Sequence, residues 1–320
     1  MKLIIQIPCY NEAATIGTVL HTLPREVEGF DTVEWLIIDD GSTDNTADVA
    51  REHGVDHVVR FSVNRGLASG FIAGLDACLR LGADVIVNTD ADNQYESGDI
   101  PTLVAPILAG EAEMVIGERP IDSIKDFSPF KKRLQHVGSS VVRAVSHTDV
   151  ADAPSGFRAI ARQAAMQLNV HNPYTYTLET IIQAGHKGIA IANTPVRVNT
   201  DLRPSRLVKS IGSYVRRSLG TILRFNVVYR PFPFFFWIGV LLFLPGVALG
   251  VRFLFFYFAG AGDGHVQSLI LASVLLGFGF HTMLVAFVAD LIAVNRRISE
   301  DIQYRVRKLE YGDSPGDKKR

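Results

Sequence analysis

The sequence predicts an α/β domain on a mainly parallel sheet, followed by a basic amphipathic helix and a hairpin of two membrane-spanning helices. Three observations predict it. Short β-branched runs alternate with helical patterns through the first half of the chain. Acids and amides gather directly after each of those runs. From residue 231 to 294 the chain becomes overwhelmingly apolar.

The elements follow in order. "KLIIQI" (Lys2–Ile7) is a first strand leading to a helix near Ala13–Leu23. "EWLII" (Glu34–Ile38) leads to a helix near Asp44–His53, with "STDNT" as its start signal. "HVVRF" leads to a helix near Ala68–Leu81, and "DVIV" (Asp84–Val87) closes the first half. Strand and helix alternating at this spacing build a parallel sheet covered on both faces. Gly117–Ser146 reads as a loop and then a helix, and "APSGFRAI" (Ala153–Ile160) as a turn entering a helix. "YTLETIIQAGHKG" (Tyr176–Gly188) is a helix with a glycine stop, and "IAIANTPVRVN" is a strand at the sheet edge.

From Arg203, cations interleave with Leu207, Ile211, Tyr214, Ile222 and Phe225, the pattern of a helix lying on an anionic bilayer face. Two apolar stretches follow, about 232–258 and 268–294, each long enough to span a hydrocarbon core. The connection between them lacks Lys and Arg, whereas both flanks are rich in them, so both termini are expected on the cytoplasmic side. His281 and Asp290 interrupt the second stretch and are expected to face a partner helix or reach the interface. The expected organisation is a catalytic domain over 1–202, an interface helix over 203–230, a transmembrane hairpin over 231–295 and a cytoplasmic basic tail over 296–320.

Composition sets the outer bounds. The 320 residues carry a formal net charge of −1, which gives no global bias toward nucleic acid. Cys9 and Cys78 have no metal-ligand spacing, and a disulfide framework is not expected.

Parallel sheets bind ligands beyond the carboxyl ends of their strands. Here those ends carry "PCYNE", "DDGSTD", "NRG" and "DADNQ". Asp39 and Asp40 follow strand two, and Asp90 and Asp92 follow strand four. Taken singly, each pair also reads as a solvated turn or a helix cap. Four carboxylates converging on one edge would repel each other unless a cation offset the charge. Oxygen-only ligation suits Mg²⁺ or Mn²⁺, with a diphosphate as the natural bridged occupant.

"PCYNE" (Pro8–Glu12), "DDGSTD" (Asp39–Asp44), "NRGLASGFIAG" (Asn64–Gly74) and "DADNQY" (Asp90–Tyr95) together resemble the signatures of family-2 nucleotide-sugar glycosyltransferases of the GT-A fold. More narrowly they resemble the dolichyl-phosphate mannose synthase and polyprenyl-phosphate glycosyltransferase group, and "SGFRA" (Ser155–Ala159) and "RPSRL" (Arg203–Leu207) extend the match. The resemblance covers about residues 1–230. It implies that Pro8, Tyr10, Glu12, Ile38 and Asp40 line the nucleotide and that Asp90, Ala91 and Asp92 flank the diphosphate. It also implies that Asp90, Asp92 and Gln94 hold Mg²⁺ or Mn²⁺ and that Arg119 neutralises a phosphate. Arg203, Ser205 and Arg206 would meet the acceptor phosphate; many members have Ser-Lys where this chain has Ser-Arg. Glu179 matches an acidic position of the family and reads equally as a surface glutamate.

The activity this implies is inverting transfer of a hexose from a GDP-mannose or UDP-glucose type donor to a polyprenyl or dolichyl phosphate at the cytoplasmic membrane face. A homo-oligomer is a further expectation from such relatives. One alternative is a hydroxyl acceptor, glycolipid or polysaccharide, which needs a general base, and Asp152 is the candidate. A remoter one is a nucleotide-binding oxidoreductase, against which "PCYNEA" stands in place of a glycine-rich phosphate loop. A degenerate, non-enzymatic membrane scaffold is the third.

Overall fold

A computed structural model describes residues 1–121, 138–143, 145–170, 176–199, 231–260 and 262–312, together with Gly220 and Val227. The expected interface helix, with Arg203, Ser205 and Arg206, lies outside the described residues. The chain divides into two compact units: Met1–Tyr214 with Gln303–Arg320, and Val215–Ile302.

The first unit is built on a seven-stranded sheet. Its strands are β1 (Lys2–Cys9), β2 (Thr32–Asp39), β3 (His57–Arg60), β4 (Val85–Asn88), β5 (Met114–Glu118), β6 (Arg158–Ala161) and β7 (Ile191–Pro195). Their order is β3-β2-β1-β4-β6-β5-β7. All neighbours run parallel except β6, which is antiparallel to both β4 and β5. Seven helices bear on the argument: α1 (Ile16–Thr22), α2 (Thr46–Glu52), α3 (Leu67–Arg80), α4 (Ile100–Leu108), α5 (Arg162–Gln167), α6 (Thr177–Lys187) and, in the apolar segment, α7 (Pro231–Phe258). An eighth, α8 (Val266–Tyr311), ends the described chain.

The strands are buried on both faces, so their residues alternate between two cores. Leu3, Ile5, Ile7, Trp35 and Ile37 pack with α1 and α4 on one face. Ile4, Leu36 and Ile38 pack with Phe71, Leu75 and Leu79 of α3 and with α5 and α6 on the other. Gly70 and Gly74 let α3 lie close to the sheet: a side chain at Gly74 would stand 2.8 Å from Ile38 and strike Gln6.

Two expectations needed correction. Ala153–Ile160 is a turn entering a strand, not a helix, because Arg158–Ala161 fills the slot between β4 and β5. Met114–Glu118, unassigned from the sequence, is a strand whose first four residues are fully enclosed.

In the second unit, α7 and the first part of α8 are each long and apolar enough to cross a membrane. They form an antiparallel hairpin. A side chain on Gly239 would meet Met283 and Gly279, and one on Gly246 would meet Leu275 and Leu276. The buried residues of α8 are small and fall every seventh position: Ala272, Gly279, Ala286 and Ala293. Small side chains at this repeat let two helix backbones approach closely. Trp237, Leu241, Phe255 and Leu291 are exposed around the pair, leaving an apolar outer surface. His281 is exposed as well, so within the described chain it does not face the other helix; Asp290 is half-buried.

Helix α8 continues past the apolar stretch, and its final residues belong to the first unit. Tyr304 Oη donates to Gln163 Oε1 at 3.1 Å. Arg307 donates to the carbonyls of Met166 (3.1 Å) and Leu168 (2.9 Å), capping the end of α5. Arg162 donates to the Tyr311 carbonyl at 2.6 Å, and the Tyr311 hydroxyl meets Asp76.

Candidate active site

Parallel pairing brings the carboxyl ends of β1, β2, β3 and β4 to one edge: Cys9 pairs with Asp39, Asp39 with Arg60, and Gln6 with Asn88. Arg119 follows β5 at that edge, and antiparallel β6 begins there with Arg158 opposite Asn88. The strand order reverses between β1 and its neighbours β2 and β4, the place where open sheets bind ligands.

The first two loops are fastened together. Asn11, at φ 53°, accepts from the Thr43 N–H at 2.8 Å and gives its own N–H to Ser42 Oγ at 2.9 Å. The Glu12 N–H donates to Thr46 Oγ1, and the Glu12 carboxylate accepts from Thr15 Oγ1, both at 2.8 Å. Pro8 stands beside Ile38 in register, and Tyr10 projects beyond the strand end, 40% exposed. The candidate nucleotide residues Pro8, Tyr10, Glu12, Ile38 and Asp40 therefore share the β1–β2 end.

Asp39 and Asp40 are engaged by the loops beside them. Asp40 accepts from the N–H groups of Arg65 (2.7 Å) and Gly66 (2.8 Å) and from Asn64 Nδ2 (3.1 Å). It clamps the loop that opens α3. Asp39 accepts from the Ser42 N–H at 2.8 Å and lies 3.1 Å from Arg60 Nε. Gly41, directly after Asp40, has φ 71°, and a side chain there would strike the Val63–Asn64 backbone. Among the described residues no three His, Cys, Asp or Glu side chains form a metal-holding group. The edge is nonetheless a negative field. Burial first, then Glu12, Asp39, Asp44 and Asp90, push the Cys9 thiol well above its ordinary range.

The β4 loop differs. Asp90, Asp92 and Gln94 are half-exposed on one turn, with Asn93 at φ 61° and its buried Oδ1 without a hydrogen-bond partner. The Gln94 N–H donates to Asp92 Oδ1 at 3.2 Å. Arg119 Nη1 reaches Gln94 Oε1 at 3.4 Å, while the rest of its guanidinium grips Asp152 through Nε (2.6 Å) and Nη2 (3.0 Å). Burial favours proton loss from Arg119, but Tyr95, Asp152 and Asp90 outweigh it and hold the cation firmly charged. Asp152 is wholly buried in this pair. Glu179 is buried too, not a surface residue.

Five residues of this edge were given no role from the sequence, although Tyr95, Gly156 and Arg158 lie within the quoted motifs: Asn88, Tyr95, Gly156, Arg158 and Tyr176. Asn88 Nδ2 donates to the Gly156 carbonyl and to Tyr176 Oη, each at 2.9 Å, and Asn88 Oδ1 accepts from Gln6 at 2.9 Å. The Gly156 N–H donates to Tyr95 Oη at 2.9 Å. Burial pushes the Tyr95 phenol up to about 12, and Tyr176 rises through burial and then Asp90. Arg158, fully enclosed, is satisfied by the carbonyls of Ser155, Ala153 and Thr177 and by Thr180 Oγ1. Burial lowers its pKa to about 10. The available signal was Asn88 itself, a polar residue ending a strand whose every position is enclosed.

Residues 4–168 match the model of glycosyl transferase family 2. The chain belongs to that family. Among curated relatives, a UDP-N-acetylglucosamine–dolichyl-phosphate N-acetylglucosaminyltransferase of Methanococcus voltae is 29% identical over 213 residues, covering 60% of this chain and 83% of its own. A polyprenol monophosphomannose synthase of Mycolicibacterium smegmatis is 24% identical over 241 residues, 71% of this chain and 87% of its own. Among solved structures, the glucosyl-3-phosphoglycerate synthase of Mycobacterium tuberculosis in complex with Mn²⁺, UDP and phosphoglyceric acid superposes with a TM-score of 0.56 at 23% identity. That match covers 70% of this chain and 78% of the synthase. At that identity the likeness establishes the fold, the GT-A arrangement of a mixed sheet with one antiparallel strand. Family membership sets aside the oxidoreductase.

Proposed function

We propose that this family-2 glycosyltransferase moves a hexose from a nucleotide diphosphate sugar to a polyprenyl phosphate at the cytoplasmic membrane face, with inversion to a β-linked product. One observation carries the choice of acceptor: Asp152, the candidate base for a hydroxyl acceptor, is buried and ion-paired twice over with Arg119. Both oxygens of this carboxylate are committed to Arg119, which leaves neither for a substrate hydroxyl. A phosphate monoester needs none, because with a second pKa near ~6 it is already ionised at neutral pH. The acceptors named for the Methanococcus and Mycolicibacterium relatives and the apolar hairpin on this chain support the same reading.

In the proposed step, an acceptor phosphate oxygen attacks the anomeric carbon as the bond to the donor diphosphate breaks. No proton moves and no enzyme nucleophile is used. The chain must therefore align two anionic substrates and accommodate the departing charge. Pro8, Tyr10, Glu12 and Ile38 form the nucleotide side, with Asp40 behind them holding the loop that opens α3, and Asp90, Ala91 and Asp92 face the diphosphate. Arg119, locked by Asp152, steadies Gln94 and supplies positive potential beside the loop. Asp90, Asp92 and Gln94 offer hard oxygen donors on one turn, a set that suits Mg²⁺ or Mn²⁺. Such an ion, when bound, would screen the diphosphate and stabilise it as a leaving group. The segment after β7 is tied to this loop: the Asn199 N–H donates to the Gln94 carbonyl at 2.9 Å, four residues before Arg203. Arg203, Ser205 and Arg206 are the proposed acceptor-phosphate contacts.

Purified protein incubated with Mn²⁺, a polyprenyl phosphate and a panel of UDP- and GDP-sugars should give an acid-labile, β-linked lipid-phosphate sugar from one donor class. Transfer only to a lipid or saccharide hydroxyl, or a trapped sugar–enzyme adduct, would overturn the reading.

A further inference from the structure

Gly156 lies far from the "DADNQY" loop in sequence, yet its α-carbon stands against Asp90. A side chain at this position would begin 2.9 Å from Asp90 Oδ2, 3.1 Å from Asp90 Oδ1 and 3.1 Å from Tyr176 Oη. The carboxylate thus rests in the space that a Cβ would fill. The turn that leaves this space is held on every side. Its N–H is taken by Tyr95 Oη at 2.9 Å, and its carbonyl by Asn88 Nδ2 at 2.9 Å. Arg158 fixes the preceding carbonyls of Ala153 (2.9 Å) and Ser155 (2.8 Å). The Tyr176 ring that faces Asp90 is stacked flat on Phe71, with centroids 3.8 Å apart and planes 4° apart.

A fully buried arginine, an asparagine and two phenols are a large polar investment for one turn. Burying such groups is costly unless each is satisfied, and a satisfied buried network rigidifies what it holds. A side chain at this position would crowd the Asp90 carboxylate first and the Tyr176 hydroxyl next, so the glycine leaves room for both. We infer that Gly156 is a positioning residue: the turn pinned by Tyr95, Asn88 and Arg158 forms a rigid seat that aims the Asp90 carboxylate for divalent-cation binding. The inference rests on the reading that Asp90 and Asp92 are ion ligands.

The test is Mn²⁺ binding by full-length protein in detergent, with UDP or GDP present, followed through the resonance signal of free Mn²⁺. In Gly156→Ala the added methyl meets the mobile end of a short side chain, so the carboxylate swings away while the fold survives. The Mn²⁺ midpoint should rise about tenfold or more, the size seen when the partner that orients a ligand is lost. The thermal midpoint should stay near wild type. Tyr95→Phe removes the acceptor for the Gly156 N–H without adding volume and should raise the Mn²⁺ midpoint to a smaller degree. In Gly156→Ala/Asp90→Asn the glycine change should have no further effect on Mn²⁺ binding. Wild-type Mn²⁺ affinity in both Gly156→Ala and Tyr95→Phe, while Asp92→Asn loses it, would overturn the seat and leave the ion reading standing. Undiminished Mn²⁺ binding in Asp92→Asn would overturn the ion reading, and the seat with it. If Gly156→Ala fails to fold, Tyr95→Phe decides alone.

Discussion

Asp39–Asp40 and Asp90–Asp92 are two acidic pairs that close neighbouring regions of the same sheet edge, and the structure uses them differently. Asp40 accepts from three N–H donors of a single loop, whereas Asp39 accepts from the Ser42 N–H and is ion-paired with Arg60. Asp90 rests against a glycine, and Asp92 takes one N–H from within its own turn. Asp40 joins two loops; Asp90 and Asp92 share a single half-exposed turn. The lesson is that a carboxylate's role at a strand end depends on which distant backbone folds beside it: the Asn64–Gly66 loop for Asp40, Gly156 for Asp90.

Four perturbations sharpen that contrast. The largest effect is expected from Asp152→Ala. It leaves the Arg119 cation buried without its partner, at a cost of about 3–5 kcal/mol. Urea unfolding at neutral pH reads it, and a change near zero would mean that Arg119 finds another anion. Next comes Asp92→Asn, which removes charge from the half-exposed β4 turn. Turnover should fall by about 10²–10³-fold while the urea midpoint holds. Asp40→Asn should do the opposite. Its amide N–H₂ is turned toward N–H donors, so stability should drop by about 1–3 kcal/mol with the remaining folded enzyme still active.

The smallest effect is a pH slope. Cys9, Tyr95 and Tyr176 all hold their protons more tightly in the folded chain, with burial the first cause in each. Their unfolded counterparts release protons from about pH 8.5 to 10. These groups therefore contribute stability fully below that range, and it is lost progressively above it. Urea midpoints measured from pH 7 to 11 should decline above about pH 9, and Tyr95→Phe should decline less steeply.

How much of this was legible in the sequence follows the range of the interactions. Strands β1 to β4 announce themselves by local pattern, and the polar residues behind them mark the working edge. The "DADNQ" turn is also local, so Asp90, Asp92 and Gln94 could be named in advance. Strand β6 was hidden because "RAIA" opens on an arginine, which argues against an enclosed strand; its charge is satisfied only by groups as distant as Thr177 and Thr180. Strand β5 was hidden by its shortness and by Gly117. The two fates of the acidic pairs were indistinguishable, since "DDGS" and "DADN" look alike until Asn64–Gly66 and Gly156 are folded beside them. The end of α8 was read as a basic tail for the same reason: Tyr304, Arg307 and Tyr311 find their partners some 140 to 235 residues earlier in the chain.

Mn²⁺ binding in the presence of nucleoside diphosphate, measured side by side on Asp40→Asn and Asp92→Asn, tests the division of labour most directly. The account predicts that Asp92→Asn loses the ion while keeping its stability, and that Asp40→Asn keeps the ion while losing stability. Loss of Mn²⁺ in Asp40→Asn together with retention in Asp92→Asn would contradict it.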